Sequence, residues 1–405
     1  MSRRPESGLL LLLAAVQFTH IMDFMIMMPL GPQLMRDLAV GPATFSGLVS
    51  AYTLSAGVVG LLAATFVDRF DRRTLLLITY AGFMLGTLAC ALAHTATTLM
   101  LARIVCGAFG GISGSLVMAI VSDIVPPERR AAGLGIVMTA FSVAAALGIP
   151  AGLTLAHQFN WEAPFLLLAV LASIMWLVLW KALPPVREHL LAKPGGRFHP
   201  FRELLHDANA GRALLFMSAL IFGHFAVIPF LSPYLVGNAG LPERYLFLVY
   251  FVGGVVTVIV SPWIGRTADR HGRHRTFGVL VGAACLVTLF LTNTGPQPLW
   301  VLLVLAALFF GVASGRFVPG QAIVSLAVPR SHRGSFMSLV SCVRDITAGI
   351  AAWIGGWVVT TDPAGKLSGY HLLGWAAVAA SLVSIWLAGR VTVEDHERAV
   401  VLTES

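Results

Sequence analysis

The sequence contains few charged residues and few cysteines for its length. Of its 405 residues, only 11% are charged and 57% are hydrophobic, and the mean hydropathy is +0.83. A soluble globular protein carries about 25% charged residues, so a soluble chain is excluded. The four cysteines lie in apolar runs without a pairing or metal-like spacing, which excludes a disulfide framework and a zinc site. The composition predicts a polytopic membrane protein.

Further absences exclude several classes of function. No phosphate-binding glycine loop with lysine is present, so ATP hydrolysis is not the energy source. No nucleophile and base stand at a recognisable spacing, and His20-Ile21-Met22-Asp23 is too short to define a metal site. No basic stripe interleaved with aromatics accompanies the net charge of +8, so nucleic acid is not an expected partner. We therefore expect neither an enzyme nor a bound metal or cofactor.

Apolar runs are the dominant pattern. A transmembrane helix needs about 20 apolar residues, and no small-residue cleavage site follows the first run, which predicts a span and not a signal peptide. Twelve runs are long enough, with approximate cores at 8–34, 44–66, 74–93, 98–123, 131–155, 162–183, 212–236, 243–265, 276–293, 299–328, 335–360 and 369–389.

The distribution of Lys and Arg tests this count independently. Of the 27 basic residues, 21 fall in loops on one side of the predicted spans, and only Arg36, Arg244 and Lys366 fall on the other side. Because basic residues collect on the cytoplasmic side, both termini are predicted to be cytoplasmic, in a multi-pass protein of the inner membrane.

An internal repeat divides the chain. Three segments recur in register, at offsets of 204, 201 and 203 residues: Phe18-Thr19-His20 as Phe222-Gly223-His224, Asp68-Arg69 as Asp269-Arg270, and Val125-Pro126 as Val328-Pro329. We predict an all-α membrane protein of two pseudo-symmetric six-helix halves, residues 1–183 and 212–389. A cytoplasmic linker, 184–211, joins them with an interfacial helix around Phe201, Leu204 and Leu205, and a cytoplasmic tail, 390–405, follows. Two such halves enclose a midplane cavity that can open to either side.

Charges inside the apolar runs are rare and usually functional, because burial of a charge costs about 2.5 to 3.5 kcal/mol on insertion scales. At 1.5 Å per residue, Asp23 lies about 22 Å above the start of span 1 and Arg103 about 8 Å below the outer end of span 4. In a core about 30 Å thick these depths coincide, so the two are predicted partners. Asp23 could then bind and release a proton, or the pair could be a fixed lock between spans 1 and 4. His20, one turn away, could relay the proton or be a packing residue.

The second half contains three further embedded charges. Arg316 and Asp345 lie at depths of about 20 and 15 Å, so we expect them to pair across spans. Arg344 and Asp345 are about 100° apart on one helix, so we expect only one to face the cavity. The five embedded charges leave one positive charge in excess, which favours an anionic group on the substrate, although backbone carbonyls or water can serve instead.

Short motifs resemble those of a known family. Segments 64–73 and 265–273 resemble Gly-x-Leu-Ala-Asp-Arg-x-Gly-Arg, with Ala64 and Asp71 replacing the two glycines in the first. Arg103-Ile104-Val105-Cys106-Gly107 is similar to Arg-x-x-Gln-Gly, and Gly148-Ile149-Pro150-Ala151-Gly152 looks like a degenerate Gly-Pro-rich motif. On these residues the chain resembles, over essentially its whole length, the major facilitator superfamily, and most of all its bacterial drug and sugar efflux proton antiporters.

The resemblance implies the major facilitator fold and a cytoplasmic latch between helix ends; charges that only set topology are the alternative. The latch residues would be Asp68, Arg69, Arg72, Asp269, Arg270 and Arg273.

The expected function is secondary active transport, with proton-coupled export of a small amphipathic or sugar-like molecule by alternating access. Proton coupling is assigned to Asp23, Arg103 and His20. Substrate or gating contacts are assigned to Arg316, Arg344, Asp345, His224, Phe24, Phe225 and Tyr234, although aromatics in such a chain also face lipid. The expected partners are a small, unidentified substrate and the bilayer, with the protein a monomer. A uniporter or lipid translocator, or a non-transporting receptor or scaffold, are the alternatives.

Overall fold

The structure is a computed structural model that describes residues 3–126, 129–187, 190, 206–329, 332–362 and 365–393. In this part of the chain, twelve helices are long and apolar enough to cross a membrane, as predicted. The predicted interfacial helix around Phe201, Leu204 and Leu205 lies outside the described residues, as does most of the predicted tail. Spans 1 to 12 are Ser7–Ile26, Pro42–Ala63, Arg72–Ala91, Ala96–Ile124, Ala132–Gln158, Ala163–Ala182, Ala208–Gly237, Glu243–His271, Arg273–Thr292, Leu299–Ser325, Arg333–Val358 and Tyr370–Ala388.

Several spans are broken or extended by short elements. The helix of span 1 begins at Arg3 and ends at Ile26, and a separate helix, Gly31–Asp37, follows it. The predicted core 8–34 is therefore too long, because prolines at 29 and 32 each remove an amide donor. Spans 5 and 10 each contain a π turn: span 5 consists of Arg130–Val143, the turn Ala144–Gly148 and Ile149–Gln158, and span 10 of Leu299–Phe309, the turn Phe310–Ser314 and Phe317–Ser325. Span 7 is divided into Ala208–Phe225 and Ile228–Gly237. Span 8 begins with a 3₁₀ turn at Glu243–Tyr245 and continues as Leu246–His271. A 3₁₀ turn at Val67–Arg69 follows span 2, and strands Thr360–Thr361 and Leu367–Ser368 pair antiparallel before span 12.

The packing of the first six spans recurs in the last six. In the first set, span 1 packs on spans 5 and 6, span 4 on spans 2 and 3, and span 3 on span 6. In the second set, span 7 packs on spans 11 and 12, span 10 on spans 8 and 9, and span 9 on span 12. We call spans 1–6 the N-terminal half and spans 7–12 the C-terminal half. Two related interfaces join the halves, span 2 with span 11 and span 5 with span 8.

Glycines bring spans 2 and 11 close together, and we call two of them, Gly57 and Gly349, the glycine seam. A Cβ atom at Gly57 would lie 2.5 Å from Cγ1 of Ile346 and 2.9 Å from the carbonyl oxygen of Cys342. A Cβ atom at Gly349 would lie 2.5 Å from Cγ of Leu54. Small residues permit such close approach of membrane helices, and here they bring the two halves into contact at mid-span.

We call the face where span 1 begins the terminal face and the opposite one the distal face. At the distal face, Nη1 of Arg36 lies 2.8 Å from Oε2 of Glu243, so a charged pair joins the two halves. The hydrogen bond to Glu243 raises the pKa of Arg36 above its ordinary value and outweighs the opposing effect of burial. Beside this pair is a cavity of about 260 Å³, lined by residues that include Gln33, Thr154, His157 and Phe247.

Candidate functional site

Spans 1 and 4 bring Asp23 and Arg103 into direct contact. Oδ2 of Asp23 lies 2.7 Å from Nη1 of Arg103, and Nη1 also donates to the backbone carbonyl of Asp23 at 3.1 Å. Both side chains are fully buried. The predicted contact is therefore present, and helical rise alone was sufficient to place both residues at one depth.

Two uncharged side chains, which the sequence analysis did not identify, complete this cluster. The Thr87 hydroxyl of span 3 donates to Oδ1 of Asp23 at 3.2 Å, and the guanidinium carbon of Arg103 lies 4.5 Å from the centroid of the Tyr52 ring. Nε and Nη2 of Arg103 are buried and make no hydrogen bond within the described part of the chain. The cation–π contact with Tyr52 partly offsets that loss. A threonine and a tyrosine inside apolar runs give no pattern that distinguishes them from packing residues.

Two thiols lie against this cluster. Sγ of Cys106, at the position of the family's glutamine, is 3.7 Å from the Thr87 hydroxyl and 3.9 Å from Sγ of Cys90. A thiol at this position offers no amide oxygen, unlike the family's glutamine.

His20 does not contact the carboxylate of Asp23. Its ring packs between Tyr80 and Phe83, at centroid distances of 5.3 and 4.2 Å, and is buried. Neither ring nitrogen makes a hydrogen bond to any described residue. This is a packing environment, so a relay through His20 would need a water molecule to bridge it to Asp23.

The expected pairing of Arg316 with Asp345 is wrong. Nη1 of Arg316 donates to the hydroxyl of Ser381 at 2.8 Å, and Nε donates to the carbonyl of Ala313 at 3.2 Å. Asp345 instead accepts from Nε of its neighbour Arg344 at 3.1 Å. Depth along a span could be calculated from the sequence, but the direction in which each side chain points could not. Arg316 points to span 12, whereas residue 345 lies on the central side of span 11.

Arg344 and Asp345 both lie on the side of span 11 that is turned from the lipid. Exposed apolar residues Ile350, Trp353 and Trp357 mark the opposite side of this helix. The side chain of Arg344 is 47% exposed and that of Asp345 is 28% exposed, although both are at mid-span. The two side chains leave the helix about 100° apart and meet in an ion pair on this side of span 11, and which of them faces the cavity stays a prediction.

A series of aromatic rings connects the halves. The Phe24 ring stacks on Tyr52 at 5.6 Å and on Phe225 of span 7 at 5.9 Å. Phe225 meets His224 edge-on at 5.6 Å, and His224 stacks on Phe309 at 6.1 Å. This aromatic bridge begins at the Asp23–Arg103 pair and ends in the C-terminal half.

Tyr234 lies apart from the bridge, toward the distal face. Its hydroxyl donates to the carbonyl of Thr294 at 2.8 Å and its ring packs 4.4 Å from that of Tyr370. It lines a separate cavity of about 330 Å³.

The proposed latch residues are engaged differently in the two halves. Arg72 bridges spans 3 and 4, since its Nη1 lies 2.6 Å from Oδ2 of Asp123 and 2.9 Å from the carbonyl of Ala119. Asp123 was not recognised from the sequence, because one carboxylate at a predicted helix end is not distinctive. Arg273 lies 3.9 Å from Asp269, which is on the adjacent helix end. Arg69 and Arg270 are exposed, and the side chain of Asp68 is not described.

Asp71, which replaces a family glycine, caps the helix of span 3. It accepts hydrogen bonds from the backbone amides of Arg73 and Val186 and from Nε of Arg187, at 3.0 to 3.2 Å. Burial acts to raise the pKa of Asp71, but these hydrogen bonds outweigh it and lower the pKa below its ordinary value. The substitution therefore joins the start of span 3 to the segment after span 6.

Comparisons with known proteins agree with this architecture. The sequence profile of the Major Facilitator Superfamily matches residues 13–298 and 248–404. The chain is 26% identical to the uncharacterised transporter YceJ of Bacillus subtilis, over 88% of this chain and 90% of that protein. It is 25% identical to a gallate transporter of Pseudomonas putida (89% and 87% covered) and 22% identical to a probable sugar efflux transporter of Helicobacter pylori (89% and 88%).

Among solved structures, the fold is similar to that of a D-xylose–proton symporter, with a TM-score of 0.74, 15% identity, and 93% of this chain and 96% of that chain covered. The profile match extends over almost the whole chain, and the twelve spans and their repeated packing are those of the same fold. The chain belongs to the Major Facilitator Superfamily and is a secondary transporter, not an enzyme.

Proposed function

We propose that the protein exports a small amphipathic or sugar-like molecule in exchange for protons, by alternating access. The observation that carries the proposal is the fully buried Asp23–Arg103 pair, 2.7 Å apart, at the N-terminal end of the aromatic bridge between the halves. The protonation of a buried carboxylate can change when the cavity opens and admits water, whereas the surroundings of a surface carboxylate do not change in this way.

Protonation of Asp23 would remove the charge that Arg103 faces. Arg103 already has two donors without a partner among the described residues, so the loss of this carboxylate would leave its guanidinium held mainly by Tyr52 and one backbone carbonyl. A buried and uncompensated charge is costly, and water admitted by the opening of the cavity would reduce that cost. Proton binding would thus favour a state in which this cluster is hydrated.

Contacts at the distal face would control the second step of the cycle, the opening of the cavity to that side. In this arrangement Arg36 and Glu243 join the halves, and the glycine seam holds spans 2 and 11 together. Opening toward the distal face requires Arg36 and Glu243 to separate. The proposed latch residue Arg72 pairs with Asp123 and so joins spans 3 and 4 within one half, which can then move as a unit.

The substrate class is supported by both chemistry and similarity. The interface between the halves offers aromatic rings from Phe24 and Phe225 and a partly exposed charged pair from Arg344 and Asp345. Apolar walls with a few polar groups suit a small amphipathic molecule. The relatives include a gallate transporter and a probable sugar efflux transporter, which are likewise proteins for small polar molecules.

Flux into proteoliposomes under an imposed pH gradient, with gallate and D-xylose as probes, tests the proposal. We expect gradient-driven accumulation by the wild type, and its loss in Asp23→Asn with pH-independent exchange retained. Glu162→Gln is the matched control, because Glu162 makes no side-chain cap bond at the start of its helix. Unchanged accumulation by Asp23→Asn would refute the proton-carrier role. Wild-type flux that does not depend on the pH gradient would favour a uniporter.

A further inference from the structure

The five embedded charges balance in the N-terminal half but leave one positive charge in excess in the C-terminal half. Asp23 pairs with Arg103, and Asp345 pairs with Arg344. Arg316 is 3% exposed and contacts no carboxylate in the described part of the chain. The excess positive charge that the sequence shows as a sum is therefore localised on one buried guanidinium.

The backbone of span 10 is irregular where Arg316 lies. The π turn Phe310–Ser314 ends just before it, and the next helix, Phe317–Ser325, begins just after it. Nε and Nη1 of Arg316 bind the carbonyl of Ala313 and the hydroxyl of Ser381, and no described residue accepts a hydrogen bond from Nη2. π turns of this kind occur frequently at functional sites. One donor of a buried cation is thus available to a ligand.

Residues of three other spans lie close to this guanidinium, which interacts electrostatically with His224 of span 7 and Cys285 of span 9. Ser381 belongs to span 12, and the hydroxyl lies 3.1 Å from where a Cβ of Gly223 in span 7 would stand. The ring of His224, the next residue, meets Phe317 edge-on at 5.1 Å, and Phe317 follows Arg316 in the chain. Nδ1 of His224 is buried and has no hydrogen-bond partner among the described residues. From span 9, Cys285 neighbours both Arg316 and Ser381.

A cation in this position requires a counter-charge. A carbonyl and a hydroxyl carry only partial charges, and an uncompensated charge inside a membrane protein is destabilising. The groups here are donors or can act as donors: Nη2 of Arg316, the imidazole of His224, and the Ser381 hydroxyl, whose one proton would turn from the Cys285 thiol to a bound anion. A set of donors around one positive charge is complementary to an anion and not to a neutral sugar or a cation.

We propose that Arg316, Ser381 and His224 form a binding site for one monovalent anion, either a carboxylate carried by the substrate or a free halide. The site is in the C-terminal half, at the end of the aromatic bridge opposite to Asp23. In its carboxylate form the proposal rests on the proposed transport function. In its halide form it does not.

Thermal unfolding of the purified full-length protein in detergent distinguishes these cases without a flux assay. A ligand that binds the folded state raises the unfolding temperature in a saturable way. Benzoate and chloride are titrated separately, with the ionic strength held constant by sodium sulfate, whose anion is not monovalent. Saturable stabilisation by benzoate alone indicates the carboxylate of a substrate, and stabilisation by chloride indicates a free halide. Stabilisation by neither anion would overturn the proposal.

Variants locate the site. We expect Arg316→Gln to weaken anion binding by about 100-fold or more and Ser381→Ala by roughly tenfold, in line with the loss of charged and neutral hydrogen bonds. Arg390→Gln, which alters an exposed arginine at the end of span 12, is the matched control and should bind as the wild type does. Should Arg316→Gln fail to fold, Arg316→Lys and Ser381→Ala decide. Retention of wild-type affinity by Ser381→Ala together with either Arg316 variant would overturn the proposal.

The same titration on Asp23→Asn separates this site from the coupling mechanism. Anion binding by Asp23→Asn should equal that of the wild type, because Asp23 belongs to the other half. If proton coupling fails its own test while the anion still stabilises Asp23→Asn, the proposed function is wrong and the anion site stands. If proton coupling is intact and no anion binds, the anion site is wrong and the proposed function stands.

Discussion

Oδ2 of Asp23 and Nη1 of Arg103 are 2.7 Å apart, and neither side chain is exposed. Each charge is therefore the main compensation for the other, and the free-energy cost of removing one must depend on whether the other is present.

This dependence gives the first prediction. Arg103→Met leaves Asp23 buried without a cation, and removal of one partner of a buried pair costs about 3 to 5 kcal/mol. The double variant Asp23→Asn with Arg103→Met should recover a large part of that loss. Unfolding temperatures of the wild type, both single variants and the double variant form the test. Losses that simply add would show that the two charges are not coupled.

The second prediction concerns Thr87. Because its hydroxyl donates to Oδ1 of Asp23 at 3.2 Å, Thr87→Val removes one hydrogen bond to the carboxylate while keeping the shape of the side chain. We expect a destabilisation of the cluster by about 1 to 3 kcal/mol and a weakened dependence of flux on the pH gradient. Thr87→Ser, which keeps the hydroxyl, is the control. Equal behaviour of the valine and serine variants would exclude a role for the hydrogen bond.

A third prediction tests the contact at the distal face. Exposed ion pairs contribute about 0.2 to 1 kcal/mol, so Arg36→Glu should shift the balance between cycle states by up to about fivefold. The exchange Arg36→Glu with Glu243→Arg should restore it. The measurement is the rate at which a membrane-impermeant maleimide labels a Gln33→Cys background, corrected for labelling of the parent protein. Faster labelling in the single variant and recovery in the exchange are expected, and an unchanged rate in Arg36→Glu would contradict a gating role.

The fourth prediction concerns pH and Asp71. Since the folded-state pKa of Asp71 is lowered, its contribution to stability is present above the unfolded value of about 3.9 and is lost as pH falls through the folded value. Asp71→Ala should cost about 1 kcal/mol at pH 7, as loss of a helix cap does, and the difference from wild type should narrow below about pH 4. Asp71→Asn keeps the cap and loses the charge, so its stability should lie between those of the wild type and Asp71→Ala. A difference that is constant from pH 7 to pH 3.5 would refute this account.

The features that could be predicted from the sequence are those that depend only on position along the chain. The number of spans and the depth of Asp23 and Arg103 depend only on apolar length and helical rise, and the structure contains both the twelve spans and the contact. The repeat is likewise a property of the chain, and the packing of spans 1–6 recurs in spans 7–12.

What it could not predict depends on rotation about the helix axis. Arg316 was expected to meet Asp345, but the π turn before Arg316 changes the direction in which this side chain leaves span 10, and Ser381 receives it. Thr87 and Tyr52 were not identified because their functional contact is with residues distant in sequence. The sidedness of the termini, the linker and the roles of the site residues remain predictions.

The glycine seam has a consequence for how variation acts on this protein. At Gly57 the smallest possible addition, one methyl group, would press on the backbone of residues 342 and 346 in the opposite half. A state in which these helices move apart would accommodate the same methyl group without strain. A substitution there alters no group that binds a proton or a substrate. It instead changes the relative populations of the state in which spans 2 and 11 are in contact and the state in which they are apart.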